Sequence, residues 1–108
     1  HARDWTIDRE REIYLREVAT GREEFACDST WTLFWRGELI RVELTNISLS
    51  GPVGGVRHGH KRVTLLGTPP HLRGRRDEIV DDLREALAAY RDGGVYASAT
   101  SYSLTLDV

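Results

Sequence analysis

The sequence predicts an α+β fold, with a mainly antiparallel sheet of about five or six strands, one amphipathic helix packed on one face, and a C-terminal strand. Apolar and polar residues alternate on both sides of Arg36-Gly37, which is typical of a β-hairpin. Apolar residues recur at helical spacing over residues 77–92. The chain has 108 residues, of which 40% are hydrophobic, and this suits one domain, 1–108, with a single core.

The clearest element is the β-hairpin around Arg36-Gly37. We predict strands over residues 30–35 and 38–45, joined by these two residues. That register places large apolar side chains opposite each other on one face, Trp31 with Val42 and Leu33 with Ile40. Because register and hydrophobic pattern agree, this face is expected to lie in the core. A longer loop stays open as an alternative, since arginine is disfavoured at a left-handed turn position.

The N-terminal region fits either two strands or a helix. Residues 5–7 and 13–18 are favoured as short strands, because β-branched and aromatic residues alternate there with polar ones. The alternative is a helix capped by Asp8 and ended by Gly21.

The second half of the chain contains the predicted helix between two strands. Residues 50–60 are punctuated by glycine and predicted to be a loop, and a short strand over 62–66 ends at the Gly-Thr-Pro-Pro sequence 67–70. The helix over 77–92 has an apolar stripe formed by Ile79, Leu83, Ala86, Leu87 and Tyr90. Residues 95–108 alternate and are predicted to be one last strand with one buried face.

The net charge of −2 conceals an uneven distribution of charge along the chain. Residues 51–76 contain six of the 15 basic residues and no carboxylate. These six are Arg57, Lys61, Arg62, Arg73, Arg75 and Arg76. We expect a local positive potential. One interpretation brings the clusters at 57–62 and 71–76 together to hold an anionic surface, and the alternative is a solvated, mobile loop.

A second candidate surface is the open face of the predicted sheet. Phe34 points away from the predicted core, beside Leu39 and among polar residues that include Arg41. Aromatic residues and arginine on a polar face are typical of protein-binding surfaces. An alternative is that the aromatics form a second small core under the N-terminal segment.

We therefore predict a non-catalytic module of the inhibitor, accessory or toxin-neutralising type that binds another protein and uses no cofactor or metal. Its contact residues are expected to be Phe34, Leu39 and Arg41 on the sheet and Arg57, Lys61, Arg62, Arg73, Arg75 and Arg76 in the basic glycine-rich loop. The class is an analogy from size and fold alone.

Two alternative functions use the basic segment differently. An anion or nucleic-acid binder would contact phosphates through residues 57–76, although no aromatic residue for base stacking lies between Trp35 and Tyr90. A metal-dependent enzyme would need three ligands, for which the candidates are His58, His60 and His71.

Other catalytic patterns are incomplete. Gly54 and Gly59 have the spacing of a phosphate-binding loop, but His60 separates the second glycine from Lys61. Cys27 has no indicated base beside it, as a reactive thiol requires. Glycosidase-type chemistry would need two carboxyl groups at a set separation in a cleft, which the sequence does not show for Glu23, Glu24, Asp77, Glu78, Asp81 and Asp82. The helix acids among them are expected to be solvated or to cap the helix. We predict no catalytic residue.

The chain shows no signal peptide and no run of about 18 apolar residues. From these features we expect no membrane span and a cytoplasmic location.

Overall fold

A computed structural model describes residues 4–17, 29–51, 54–97 and 100–108. In chain order, its strands are β1 (Asp4–Asp8), β2 (Ile13–Glu17), β3 (Ser29–Trp35), β4 (Glu38–Leu49), β5 (Arg57–Gly67), β6 (Val95–Ala97) and β7 (Thr100–Asp107). Between β5 and β6, a 3-10 helix, Pro70–Arg75, leads directly into the helix α1, Arg76–Ala88.

The seven described strands form one curled sheet in the order β1-β2-β3-β4-β5-β7-β6. Neighbouring strands are antiparallel except β5 and β7, which run parallel. The chain leaves β5 through the helical segment, reaches the edge of the sheet at β6, and turns back into β7 beside β5. The α+β prediction is therefore right in outline, but the sheet is larger than predicted and mixed.

The β3–β4 hairpin has the predicted register. Its pairs include Trp31 with Val42, Leu33 with Ile40 and Phe34 with Leu39. The loop consists of Arg36 and Gly37, whose φ angles of 50° and 78° are both positive. Two such residues make a type I′ turn, whose twist matches that of the strands. β4 continues to Leu49, beyond the predicted end at residue 45.

The N-terminal segment contains two strands, as favoured, and the helix alternative is wrong. β1 pairs with β2, and β2 pairs with β3. The Asp8 carboxylate accepts hydrogen bonds from the backbone amides of Glu10 and Arg11 at 2.9 and 3.2 Å. Asp8 therefore stabilises the turn after β1, as aspartate commonly does in Asx turns. Residues 18–21, where that helix would end, lie outside the described residues.

The glycine-rich basic stretch is a strand from Arg57 onward, which corrects the predicted loop. β5 lies inside the sheet, between β4 and β7. Gly59 pairs with Tyr102 of β7. A Cβ atom on Gly59 would lie 2.5 Å from Cε1 of the buried Tyr102 ring. The glycine therefore permits a close approach between a strand and a ring, rather than marking irregular backbone.

The helical segment begins and ends earlier than predicted. The 3-10 helix starts at Pro70, and α1 ends at Ala88 rather than at Asp92. The predicted stripe is buried at Ile79, Leu83, Ala86 and Leu87. Tyr90 follows the helix, and its hydroxyl donates a hydrogen bond to the carbonyl oxygen of Thr6 at 3.1 Å.

The predicted last strand is in fact a hairpin. β6 and β7 are antiparallel, with Val95 opposite Tyr102. Residues 98–99 between them lie outside the described residues. In the sequence, apolar and polar residues alternate with a period of two through most of this segment, and such a pattern does not reveal where the chain reverses.

The core lies between α1 and one face of the sheet, which we call the inner face. Its strand residues are Ile7, Ile13, Leu15, Trp31, Leu33, Trp35, Ile40, Val42, Leu44, Val63, Leu65, Val95, Tyr102 and Leu104. The buried stripe of α1 and Leu72 of the 3-10 helix join them. The alternate residues of the same strands form the outer face, where exposed side chains remain.

Candidate functional site

The outer face carries a row of apolar side chains across three neighbouring strands. Tyr14 of β2 pairs with Phe34 of β3, and Phe34 pairs with Leu39 of β4. Tyr14 is 37% exposed, Leu39 is 51% exposed, and Phe34 between them is half-buried. Phe34 and Leu39 therefore lie side by side on the face opposite the core.

A second row, two residues further along the same strands, contains two arginines. Arg16 of β2 pairs with Thr32 of β3, which pairs with Arg41 of β4. The Arg16 guanidinium lies 4.8 Å from the centre of the Phe34 ring, a cation–π contact that links the two rows. Arg41 is exposed, and no acid in the described part of the chain forms an ion pair with it.

A β-bulge adds Leu66 to this surface. The register between β4 and β5 shifts so that Gly67 is opposite Arg41 and Leu65 is opposite Val42. Leu66 is the extra residue of the bulge, and it is 51% exposed. We call the surface formed by these residues the outer patch: Tyr14, Arg16, Phe34, Leu39, Arg41 and Leu66.

Two open depressions lie on either side of the Phe34–Leu39 pair. The first, of about 320 Å³, is lined by Glu12, Tyr14, Arg16, Phe34 and Gly37. The second, of about 460 Å³, is lined by Leu39, Arg41, Leu66, Gly67, Thr68 and Pro69. Each depression is lined by apolar side chains and one arginine. It could therefore bind an apolar side chain of a ligand, while the arginine pairs with a carboxylate next to that side chain.

Three members of the outer patch are absent from the sequence prediction. Tyr14 and Arg16 could have been placed on the outer face from the alternation within β2, because their neighbours Ile13 and Leu15 point into the core. Leu66 becomes part of the patch through pairing of β5 with β4 and through the bulge. Both are long-range features that the local sequence does not encode.

The basic residues predicted to form one surface are dispersed along β5 and the helical segment that follows it. This strand has 11 residues, which span roughly 33 Å at about 3.3 Å per residue. Arg57 lies at its start, whereas Arg73, Arg75 and Arg76 follow its end. The expectation that the two basic clusters lie close together is therefore wrong, because the segment between them is extended.

The basic residues within β5 also point in different directions. Lys61 is fully buried on the inner face, with its Nζ atom 5.5 Å from the centre of the Tyr102 ring. Its side chain is thus inside the protein and not on a contact surface. Arg62 lies on the outer face, with Nε 3.8 Å from an Asp107 carboxylate oxygen.

Arg75 lies in an intramolecular ionic network. Its Nε and Nη2 atoms donate hydrogen bonds to the Glu78 carboxylate at 3.0 and 3.1 Å. These bonds raise the pKa of Arg75 and lower the pKa of Glu78. The Arg75 guanidinium also lies 4.6 Å from the centre of the Trp35 ring, so Arg75 anchors the start of α1 to the sheet.

Arg36 of the β3–β4 turn joins the same network from the other side. Its guanidinium lies 4.9 Å from the Trp35 ring centre and pairs with Glu78 and Asp82 at 3.1 and 3.2 Å. The indole nitrogen of Trp35 donates a hydrogen bond to Asp82 at 3.0 Å. Glu78 and Asp82 are therefore ion-paired, which corrects the expectation that the helix acids are merely solvated or capping.

The remaining basic residues do not complete a continuous anionic-ligand surface. Arg76 donates a hydrogen bond to the Thr68 hydroxyl at 2.9 Å. Arg57 and Arg73 are both exposed, but Arg57 is the first residue of β5, whereas Arg73 comes after the last residue of that strand. The structure thus places Arg57 and Arg73 at opposite ends of β5, and the anion- or nucleic-acid-binding alternative stays a prediction.

The three candidate metal ligands are also not brought together. His58 and His60 lie on β5, where Nε2 of His60 is 2.9 Å from the Thr105 hydroxyl. His71 lies in the 3-10 helix, with its Nε2 atom 2.9 Å from a Glu38 carboxylate oxygen. Over residues 4–17, 29–51, 54–97 and 100–108, no group of three metal-ligating side chains occurs.

Cys27, Glu23 and Glu24 lie outside the described residues. The incomplete phosphate-loop pattern ends in the middle of β5, where no helix begins.

Comparison of the chain with protein-family models, with curated proteins and with solved structures finds no match. Of the described helical residues, none belong to a helix with the length and apolarity needed to cross a membrane.

Proposed function

We propose that this protein is a non-catalytic module that binds another protein through the outer patch. The supporting observation is the exposed apolar row of Tyr14, Phe34 and Leu39, which lies beside Arg16 and Arg41. The solvated face of a one-sided sheet is usually polar. Aromatic residues and arginine are instead enriched at protein–protein interfaces, where they contribute most of the binding energy.

The chemistry of the patch favours binding over catalysis. General acid–base catalysis most often uses a histidine or carboxylate side chain, whereas the polar members of the patch are one tyrosine and two arginines. The other members, Phe34, Leu39 and Leu66, are apolar. A small inhibitor, accessory or toxin-neutralising protein acts through such a contact surface alone.

The test has two steps and uses the whole chain. Proteins retained from an extract of the source cells are identified by mass spectrometry, and the purified partner is then titrated by calorimetry. Leu39→Ala and Arg41→Glu are expected to weaken its binding at least about tenfold, as truncation of a central contact residue does. Arg84→Glu, on the exposed side of α1, is the matched surface control and should leave the affinity within about twofold.

Folding is measured in parallel, so that a loss of binding is not a loss of structure. Leu39 and Arg41 are exposed, and substitutions of such residues usually change stability by less than about 0.5 kcal/mol. A partner whose affinity is unchanged by both substitutions contradicts the proposal. So does an extract from which no protein is retained.

A further inference from the structure

The spacing of the outer patch points to the shape of the segment that covers it. Tyr14, Phe34 and Leu39 lie on adjacent strands, so successive anchors are about 4.8 Å apart and the row is about 10 Å long. Residues i, i+3 or i+4, and i+7 of a helix rise by about 5 and 10 Å. Same-side residues of an extended chain recur only every ~6.8 Å. A helix laid across the strands therefore matches the row better than an extended chain.

The charges beside the row indicate which side of that helix carries acidic side chains. Arg16 and Arg41 lie two residues further along their strands than Tyr14 and Leu39, at about 6.8 Å from the apolar row. This distance is within reach of carboxylates on the flank of a helix whose diameter with side chains is about 10 Å. On the same side, Asp4 of β1 is the register partner of Arg16, and Glu43 lies two residues beyond Arg41, where it accepts a hydrogen bond from the Thr45 hydroxyl at 3.1 Å. Arg41 is exposed and lies nearer to the row than Glu43 does.

The opposite side of the row differs in charge. Glu12 precedes Tyr14 by two residues and lines the first depression with it. Acidic side chains on that side of a bound helix would face a like charge. The patch therefore distinguishes two flanks, with carboxylates favoured only along the arginine side.

We infer, on the basis of the proposed function, that the partner presents an amphipathic helix with an acidic flank. Its apolar residues at i, i+3 or i+4, and i+7 lie on Tyr14, Phe34 and Leu39. Its glutamate or aspartate side chains pair with Arg41, which is exposed. This is the helix-in-groove mode of recognition, with register set by apolar anchors and orientation set by charge.

The test uses two synthetic helical peptides of equal length and the isotopically labelled whole protein. Both peptides carry leucine at i, i+4 and i+7; one has glutamate along a single flank, and the other has lysine at the same positions. In NMR titrations, the glutamate peptide should shift the amide signals of Phe34, Leu39 and Leu66 and bind at least tenfold more tightly than the lysine peptide. High salt should reduce the difference, since it depends on charge.

The decisive control reverses one charge on the protein. Arg41→Glu should remove or invert the preference for the glutamate peptide, whereas Arg84→Glu should leave it intact. Equal binding of both peptides, no binding of either at millimolar concentration, or an unchanged preference in Arg41→Glu would overturn the inference. Circular dichroism of each variant shows whether it is folded.

The outcomes also separate this inference from the proposed function. If a natural partner depends on Leu39 but is insensitive to the charge at residue 41, the patch binds protein and the acidic-helix inference falls. If light scattering shows a dimer that Leu39→Ala dissociates, a second copy of this chain covers the patch, and the inference also falls. If neither Leu39 nor Arg41 affects the natural partner, the proposed function itself fails.

Discussion

Replacing Gly59 by alanine tests whether residue 59 lies in the packed strand β5 or in a loop. In an exposed glycine-rich loop, an added methyl group would point into solvent and meet no other atom of the protein. In β5, the new Cβ atom would lie 2.5 and 2.6 Å from Cε1 and Cδ1 of Tyr102. Carbon atoms in favourable contact are about 3.5–4.0 Å apart, so the overlap is about 1 Å.

The size of the effect follows from the surroundings of the ring. Tyr102 is 0% exposed and is the direct β7 partner of Gly59. Relief of the overlap must therefore move the ring within the core or separate the two strands. Such overpacking costs about 1–3 kcal/mol. At roughly 4 °C per kcal/mol for a domain of this size, the Tm should fall by about 4–12 °C.

The assay is urea unfolding followed by tryptophan fluorescence, with Gly67→Ala as the control on the same strand. A Cβ atom on Gly67 meets nothing within 4 Å, so alanine there should be neutral or stabilise the protein by about 0.4–1 kcal/mol. In a Tyr102→Leu background, the cost of Gly59→Ala should shrink, because the obstructing ring is gone. Equal free energies of unfolding for Gly59→Ala and Gly67→Ala would refute the placement of residue 59 in a packed strand.

Two further predictions concern the turns and the ionic network. Glu12 has a φ of 54°, a left-handed conformation that asparagine tolerates better than glutamate, so Glu12→Asn should raise the free energy of unfolding by up to about 1 kcal/mol; a lower value in urea unfolding would contradict this. The hydrogen bond from Arg75 lowers the pKa of Glu78 from its ordinary 4.5. This ion pair therefore stabilises the folded protein above pH 4.5, and its contribution is lost as the pH falls through the lowered pKa. Thermal melts from pH 6 to 3 should therefore show a smaller loss of Tm in Glu78→Gln than in the wild type, and identical slopes would count against this ion pair.

The hairpin at Arg36-Gly37 shows what local sequence can predict. Trp31, Leu33, Ile40 and Val42 are close in sequence, and their alternation permits only one register that buries all of them. The structure has that register. The apolar stripe of α1 is equally local, since its members repeat every three or four residues.

The local sequence pattern does not predict the structure of β5 or of residues 95–108. Gly59 indicates a loop when only its neighbours in sequence are considered, but its role depends on Tyr102, which lies 43 positions later in the chain. Likewise, the alternation over residues 95–108 is compatible with one strand or two. Only the pairing of β7 with both β5 and β6 distinguishes them.

Only part of the candidate site could be predicted from the local sequence. Phe34 and Leu39 could be assigned to the outer face from the hairpin pattern, because their neighbours point into the core. Arg16 lies beside them only because β2 pairs with β3, and Leu66 only because β5 pairs with β4 through a bulge. A surface that crosses four strands depends on contacts between distant parts of the chain.

By itself, the sequence determined the period of each local element, and therefore which side chains of the β3–β4 hairpin and of α1 are buried. It also determined the uneven distribution of charge. The tertiary structure alone decided that β5 is extended and central, which separates the basic clusters and buries Lys61. The physical reason is that hydrophobic periodicity acts over neighbouring residues, whereas strand order, parallel pairing and the close approach at Gly59 arise from packing between distant segments.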